Sequence, residues 1–145
     1  MTGELLRALS AAAVAEYAAV YVYGAAGPFV PATSAALARE GYDAHRSLRD
    51  EVQQRLRAAG GAVPLAPPAY LLQPRPQSTQ IAFTDLAAAE DPCAAARAGV
   101  VSATDDEELR RWALAAWQDA VRRGTQWRLL GGVDRVTRPL PGLRR

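Results

Sequence analysis

The chain has 145 residues, half of them hydrophobic and 22% charged. That fits one domain burying roughly two-thirds of its unfolded surface and argues against disorder. All 17 basic residues are Arg, yet 15 acidic residues leave a net charge of only +2, too little excess to read as a nucleic-acid-binding surface. Cys93 is the single cysteine, which excludes an internal disulfide and fits a reducing compartment. No run reaches about 18 uninterrupted apolar residues and no leader pattern opens the sequence. The expectation is a soluble, cytoplasmic protein with neither membrane nor nucleic acid as partner.

The apolar spacing predicts four helices. The first covers about 2–26, where Leu5, Leu9, Ala12, Glu16, Ala19 and Tyr23 follow three- and four-residue steps. Gly27-Pro28 stops it, since proline cannot donate to the helix ladder. The second covers about 31–59, with Pro31 in its first turn, a stripe through Leu37, Gly41, His45, Leu48, Val52 and Leu56, and Gly60-Gly61 as the stop. Residues 60–77 carry five prolines and no helical period. About 17 extended residues reach roughly 55 Å, longer than a 25-residue helix at about 38 Å. The stretch therefore reads as a crossover running the length of a bundle, pinned by Tyr70, Leu71 and Leu72.

The third helix is predicted at about 78–103, along Phe83, Leu86, Glu90, Cys93, Arg97 and Val100, with a kink or break near Glu90-Asp91 because Pro92 lies inside it. The fourth covers about 105–130, opened by a reciprocal capping box of Thr104 and Glu107. Its stripe passes Leu109, Trp112, Ala116, Asp119 or Ala120, Arg123 and Trp127, and ends at Gly131-Gly132. The bundle thus occupies 1–130 and an Arg-rich tail follows at 131–145. From Arg128 to the end there are five Arg against Asp134, read as a solvated tail.

Glu16, His45 and Glu90 each stand mid-helix on an apolar face. A buried charge costs several kcal/mol unless paired, hydrogen-bonded or metal-bound, so the three are expected to meet at one height in a polar centre. Arg49, one turn beyond His45, and Arg123 are candidate counter-charges. If both carboxylates approach His45, its charged form is favoured and its pKa rises. Cys93 reads as a small buried group. Tyr17 and Tyr21 lie off the core stripe and suit a dimer face, and a cleft near Tyr23 and Trp127 is a further place for a small ligand of unknown identity.

The segments Ala15-Glu16-Tyr17-Ala18-Ala19-Val20-Tyr21-Val22-Tyr23-Gly24, Ala44-His45-Arg46 with Arg49-Asp50, Pro68-Ala69-Tyr70, Glu90-Asp91, and Ala120-Val121-Arg122 with Trp127-Arg128 resemble an uncharacterised bacterial family of ferritin-like domains. The resemblance runs from Leu5 to Arg128. It implies an all-α, ferritin-like four-helix bundle and no established activity. Di-metal bundles of this kind use a Glu from each of two helices and Glu-x-x-His from each of the other two. Glu16, Glu90 and His45 match part of that set. Tyr42 stands where an acid would precede His45, and the fourth helix has no His.

The expectation is therefore a degenerate metal centre replaced by a buried network of Glu16, His45, Arg49, Glu90 and Arg123, without cofactor and with no catalytic residue. The protein reads as a homodimeric binding or assembly module rather than an enzyme. The alternative is a metal-dependent oxidoreductase or metal-binding protein, holding iron or manganese on Glu16, His45, Glu90 and Asp119.

Overall fold

A computed structural model describes residues 2–68, 70 and 75–134. Four helices form: α1 (Gly3–Ala26), α2 (Ala35–Ala58), α3 (Thr79–Ala103) and α4 (Glu107–Leu130). Among the described residues there is no strand, and the protein is all-α.

Local chemistry sets the helix ends. The Thr2 hydroxyl accepts from the Leu5 N–H at 3.2 Å and the Ser78 hydroxyl from the Ile81 N–H at 3.2 Å, each satisfying an orphan donor of a first turn. Past α1 the chain tightens into a 3-10 turn, Gly27–Phe29, around Pro28. α2 starts later than the spacing suggested. Pro31 is extended (ψ 156°) and a second 3-10 turn, Ala32–Ser34, precedes the helix. The ends of α2 and α4 share one motif. Gly60 and Gly132 sit at φ 72° and 69°, the left-handed region where a side chain is strained. There the Gly61 N–H bonds the Leu56 carbonyl (2.9 Å) and the Val133 N–H bonds the Arg128 carbonyl (3.0 Å), the Schellman arrangement.

Two sequence expectations need correction. α3 is continuous through Pro92 rather than broken near Glu90-Asp91. The proline forfeits one ladder hydrogen bond, while Glu90 and Cys93 on either side of it are both anchored to other helices. The cap of α4 is Asp106, whose carboxylate accepts from the Leu109 N–H at 2.7 Å. Thr104 instead ends α3, and its hydroxyl accepts from the Asp106 N–H. A charged acceptor at the helix N-terminus is favoured further by the helix dipole.

Side-chain pairs give the directions. Glu16 meets His45 and Tyr23 packs against Gly41, so α2 runs opposite to α1. Glu16 meets Arg97 and Tyr23 meets Glu90, so α3 also opposes α1 and runs the same way as α2. Glu90 with Arg123 and Gln80 with Gly131 set α4 against α3. The connector after α2 follows α1: the Tyr17 hydroxyl donates to the Pro64 carbonyl at 2.9 Å, and the Tyr70 ring lies 5.2 Å from that of Tyr21. Ala69 and residues 71–74 of the expected crossover, Leu71 and Leu72 among them, and residues 135–145 of the Arg-rich tail lie outside the described residues. The connector buries Tyr17, which corrects the idea that this ring belongs to an exposed dimer face.

The core has three storeys. One end packs Leu5, Leu9, Val52, Leu56 and Val100. The other packs Tyr23, Phe83, Leu86 and Trp127. Between them the apolar wall is mostly small, with Ala15, Ala19, Cys93, Ala94 and Ala120. Alanine there leaves room for long polar side chains between four helices. The stretch Gly3–Phe29 is also long and apolar enough by composition to cross a membrane, with mean hydropathy 1.4; here one face of it, Glu16 included, is packed in the core.

Candidate functional site

The middle storey holds the site. α1 supplies Glu16 and Tyr23, α2 supplies His45, α3 supplies Glu90 and Arg97, and α4 supplies Arg123 and Trp127. None of the charged members is more than 2% exposed. Helical spacing explains each placement: Glu16 lies two turns from both Leu9 and Tyr23, and Glu90 lies one turn from both Leu86 and Cys93.

The groups form one continuous chain. Arg97 Nη2 donates to Glu16 Oε1 at 2.7 Å, and Glu16 Oε2 lies 2.7 Å from His45 Nδ1. On the far side of the ring, His45 Nε2 lies 3.0 Å from Glu90 Oε1. That same oxygen accepts from Arg123 Nε at 3.0 Å and from the Tyr23 hydroxyl. Trp127 Nε1 then donates to the Tyr23 oxygen at 2.9 Å. Gly41 makes the last part possible, because a Cβ there would come within 2.3 Å of the Tyr23 ring.

Both His45 nitrogens face carboxylate oxygens, and only the doubly protonated ring can donate to both. Burial, the strongest single influence on this residue, lowers its pKa, but the hydrogen bonds to Glu16 and Glu90 outweigh it and lift the pKa to about 9. Burial likewise pushes the Glu90 carboxyl up, yet the His45 hydrogen bond and the charges of His45 and Arg123 hold it below the ordinary value. Burial first, then the Glu90 charge, pushes the Tyr23 phenol far up, so it stays a donor. Three cations therefore sit among two carboxylates in a dry interior.

Not every polar atom is matched. Glu90 Oε2, Arg123 Nη2, and Nε and Nη1 of Arg97 are buried without a hydrogen-bond partner among the described residues. The Arg97 guanidinium instead lies 4.4 Å over the Trp112 ring, and Arg55 lies 4.4 Å from the same ring. Cation–π attraction stands in for part of what Arg97 lacks. The Trp112 indole N–H donates to Glu51 at 2.6 Å, so this end of the network reaches the surface seam between α2 and α4.

Of the residues the sequence nominated, Glu16, His45, Glu90 and Arg123 converge. Arg49 does not. It points outward and donates to exposed Asp50 at 2.8 Å. Asp119 is 57% exposed and pairs with Arg122, so it cannot join a buried centre. Arg97, named only as a stripe residue, takes the place expected of Arg49. Its position seven residues beyond Glu90 was the available signal, since that spacing repeats one helix face. Tyr23 and Trp127 are buried network members, and Trp127 also forms part of a cleft wall. The nearest cleft, about 210 Å³, is lined by Phe83, Asp91, Trp127 and Arg128 among others.

A di-metal centre does not fit this donor set. His45 has no free lone pair while both nitrogens bind carboxylates, and Arg97 and Arg123 place fixed positive charge on the two acids that would have to ligate. Glu16, His45 and Cys93 do offer one donor atom each within 4.8 Å of one another. The thiol contacts the Ala15 carbonyl at 3.6 Å, and burial, followed by the Glu16 and Glu90 charges, raises its pKa well above the ordinary value. The ligating thiolate is thus disfavoured.

Fold and site together define an all-α four-helix bundle with a buried Glu/His/Arg network. The family described as "Domain of unknown function (DUF4439)" matches residues 8–145, and the chain belongs to that family. It is also similar to the crystal structure of a conserved hypothetical protein, rv2844, from Mycobacterium tuberculosis. That match has a TM-score of 0.83 and 27% identity, covering 90% of this chain and 99% of the other. No sequence among the curated proteins matches.

Proposed function

We propose that this protein is a metal-free, ferritin-like bundle with a full-length crossover between α2 and α3, acting from its surface as a binding or assembly module in the cytoplasm. The observation that carries this reading is the donation of Arg97 and Arg123 to Glu16 and Glu90. Where a ferritin-like centre would place ions between carboxylates, guanidinium and imidazolium groups neutralise them. The shared direction of α2 and α3 supports the crossover, since a link between parallel neighbours must travel back the length of a helix. A network assembled from all four helices fixes their relative heights, the registry role in which buried ionic groups are best attested. Its charged members are each at most 2% exposed, which favours a structural centre over a catalytic one.

The homodimer expected from the sequence finds its support on α4. Leu114, Trp117 and Val121 share one outward face, with Leu114 39% exposed, and border an open groove of about 390 Å³. A second copy of the chain is the proposed occupant. Sedimentation equilibrium should report a dimer that Leu114→Glu converts to a monomer.

The competing reading, a metal-binding protein, rests on the Glu16–His45–Cys93 cluster rather than on Asp119. Elemental analysis of protein purified from medium supplemented with iron, manganese and zinc separates the two. The metal-free reading expects far less than one ion per chain, unchanged in His45→Ala and Cys93→Ser. A stoichiometric ion that disappears in those variants overturns it.

A further inference from the structure

A second cleft lies away from the network. It has a volume of about 540 Å³ and lies between α1, α2 and the proline-rich connector, within the size range of small-molecule sites. Its composition is selective. Tyr17, Tyr21 and Tyr70 contribute three aromatic rings, and Val20, Val63 and Pro64 add aliphatic surface. Arg49 and Arg57 line it as well, against the single acid Asp50. Arg49 commits Nε to Asp50 and Arg57 commits Nη2 to Gln53. Each guanidinium has five N–H donors, so most remain for a guest.

The hydroxyls of the rings differ in a telling way. Tyr17 has both hydrogen-bonding roles filled, accepting from Gln53 at 3.0 Å and donating to the Pro64 carbonyl at 2.9 Å. That pair of bonds ties the connector to the helices and fixes the back wall. The Tyr70 hydroxyl, in contrast, is buried without a partner among the described residues. An unmatched buried hydroxyl is costly unless something completes it, and the residue that carries it lines the cleft.

We infer that the cleft is a binding site for a small aromatic carboxylate, whose ring lies among Tyr17, Tyr21 and Tyr70 and whose anion is held at Arg49 and Arg57. A guanidinium binds planar carboxylate through two parallel hydrogen bonds, and a cluster of tyrosine rings favours a flat aromatic body over an aliphatic one. This gives Arg49 a role that the core does not. The inference deepens the binding half of the proposed function and is independent of whether the centre holds metal.

The test is a chemical-shift titration of isotopically labelled protein with 2-naphthoate, alongside neutral 2-naphthamide and inorganic phosphate. 2-Naphthoate should give saturable shifts at the amides of Tyr17, Val20, Tyr21 and Gln53. The affinity should fall about tenfold or more in Arg49→Ala and in Arg57→Ala, and for 2-naphthamide, as expected when a charge-assisted bond is removed. Tyr70→Phe should weaken binding while leaving the thermal midpoint unchanged or raised. Circular dichroism keeps loss of fold distinct from loss of binding. Equal affinity for the amide, equal affinity for phosphate, shifts centred on Leu114 and Val121, or no saturable shift each overturns the inference. A negative titration with metal-free protein leaves the account of the centre standing, whereas bound metal with a positive titration removes that account and keeps this one.

Discussion

The two buried carboxylates look equivalent in the sequence and are treated very differently by the fold. Glu16 divides its partners evenly, with Arg97 on Oε1 and His45 on Oε2. Glu90 receives His45, Arg123 and Tyr23 on Oε1 alone, leaving Oε2 bare. At the Glu16 end both carboxylate oxygens are matched, and the unmatched atoms are Nε and Nη1 of Arg97, whose guanidinium lies over Trp112. The Glu90 end crowds three donors around one oxygen and has unmatched atoms on both sides. Equal burial therefore does not mean equal satisfaction, and the two ends should respond differently to the same substitution.

The largest effect is expected from Glu16→Ala. It strands Arg97 and protonated His45 in the interior and should cost about 3–5 kcal/mol, read as a fall in the urea midpoint at constant slope. A cost under about 1 kcal/mol would mean that the pairing at Glu16 is dispensable.

Alkaline pH attacks both ends through their shared histidine. The folded pKa of His45 is raised to about 9 from an ordinary 6.5, so the folded state holds a proton that the unfolded state releases. Its contribution is complete below about pH 6.5 and is lost as pH rises through about 9, which amounts to about 3 kcal/mol for a shift of this size. The decline in stability over that window should be absent in His45→Gln. On the acid side the sign reverses. Glu90 is depressed, so its contribution is present above the ordinary carboxylate pKa and fades as pH drops through its folded value.

Gly41→Ala tests the Glu90 end alone. The added methyl would meet the Tyr23 ring at 2.3 Å, displacing the phenol from Glu90 and Trp127, with a cost of about 1–3 kcal/mol from overpacking. Pairing it with Tyr23→Phe in a double-mutant cycle should show strong coupling.

The amide substitutions sharpen the contrast directly. In Glu16→Gln the new NH2 must face either Arg97 or His45, donor against donor. In Glu90→Gln it can take the Oε2 side, where nothing donates. Glu90→Gln should therefore be milder by about 1 kcal/mol or more in chemical unfolding; the reverse order would sink the distinction. The smallest effect serves as a control: Glu40→Ala removes an exposed 3.0 Å pair with Arg122 and should change stability by at most about 0.5 kcal/mol.

Much of this was written in the chain. Apolar spacing, the Gly60-Gly61 and Gly131-Gly132 stops and the polar residues on apolar stripes specify four helices and the convergence of Glu16, His45 and Glu90. These are local or periodic signals, and each helix carries its own. Partner choice was not local. Arg49 and Arg97 both stand near the right height, and only the packed bundle turns Arg97 onto Glu16 and leaves Arg49 at the connector cleft. Asp119 and Arg123 share a helix, but rotation in the assembled bundle exposes the first and buries the second. The cap of α4 and the unbroken course through Pro92 were likewise decided by competition among nearby groups. A sequence fixes which faces are apolar because that depends on spacing along one helix. Which guanidinium reaches which carboxylate depends on the rotation and distance between helices, and those exist only once all four have packed.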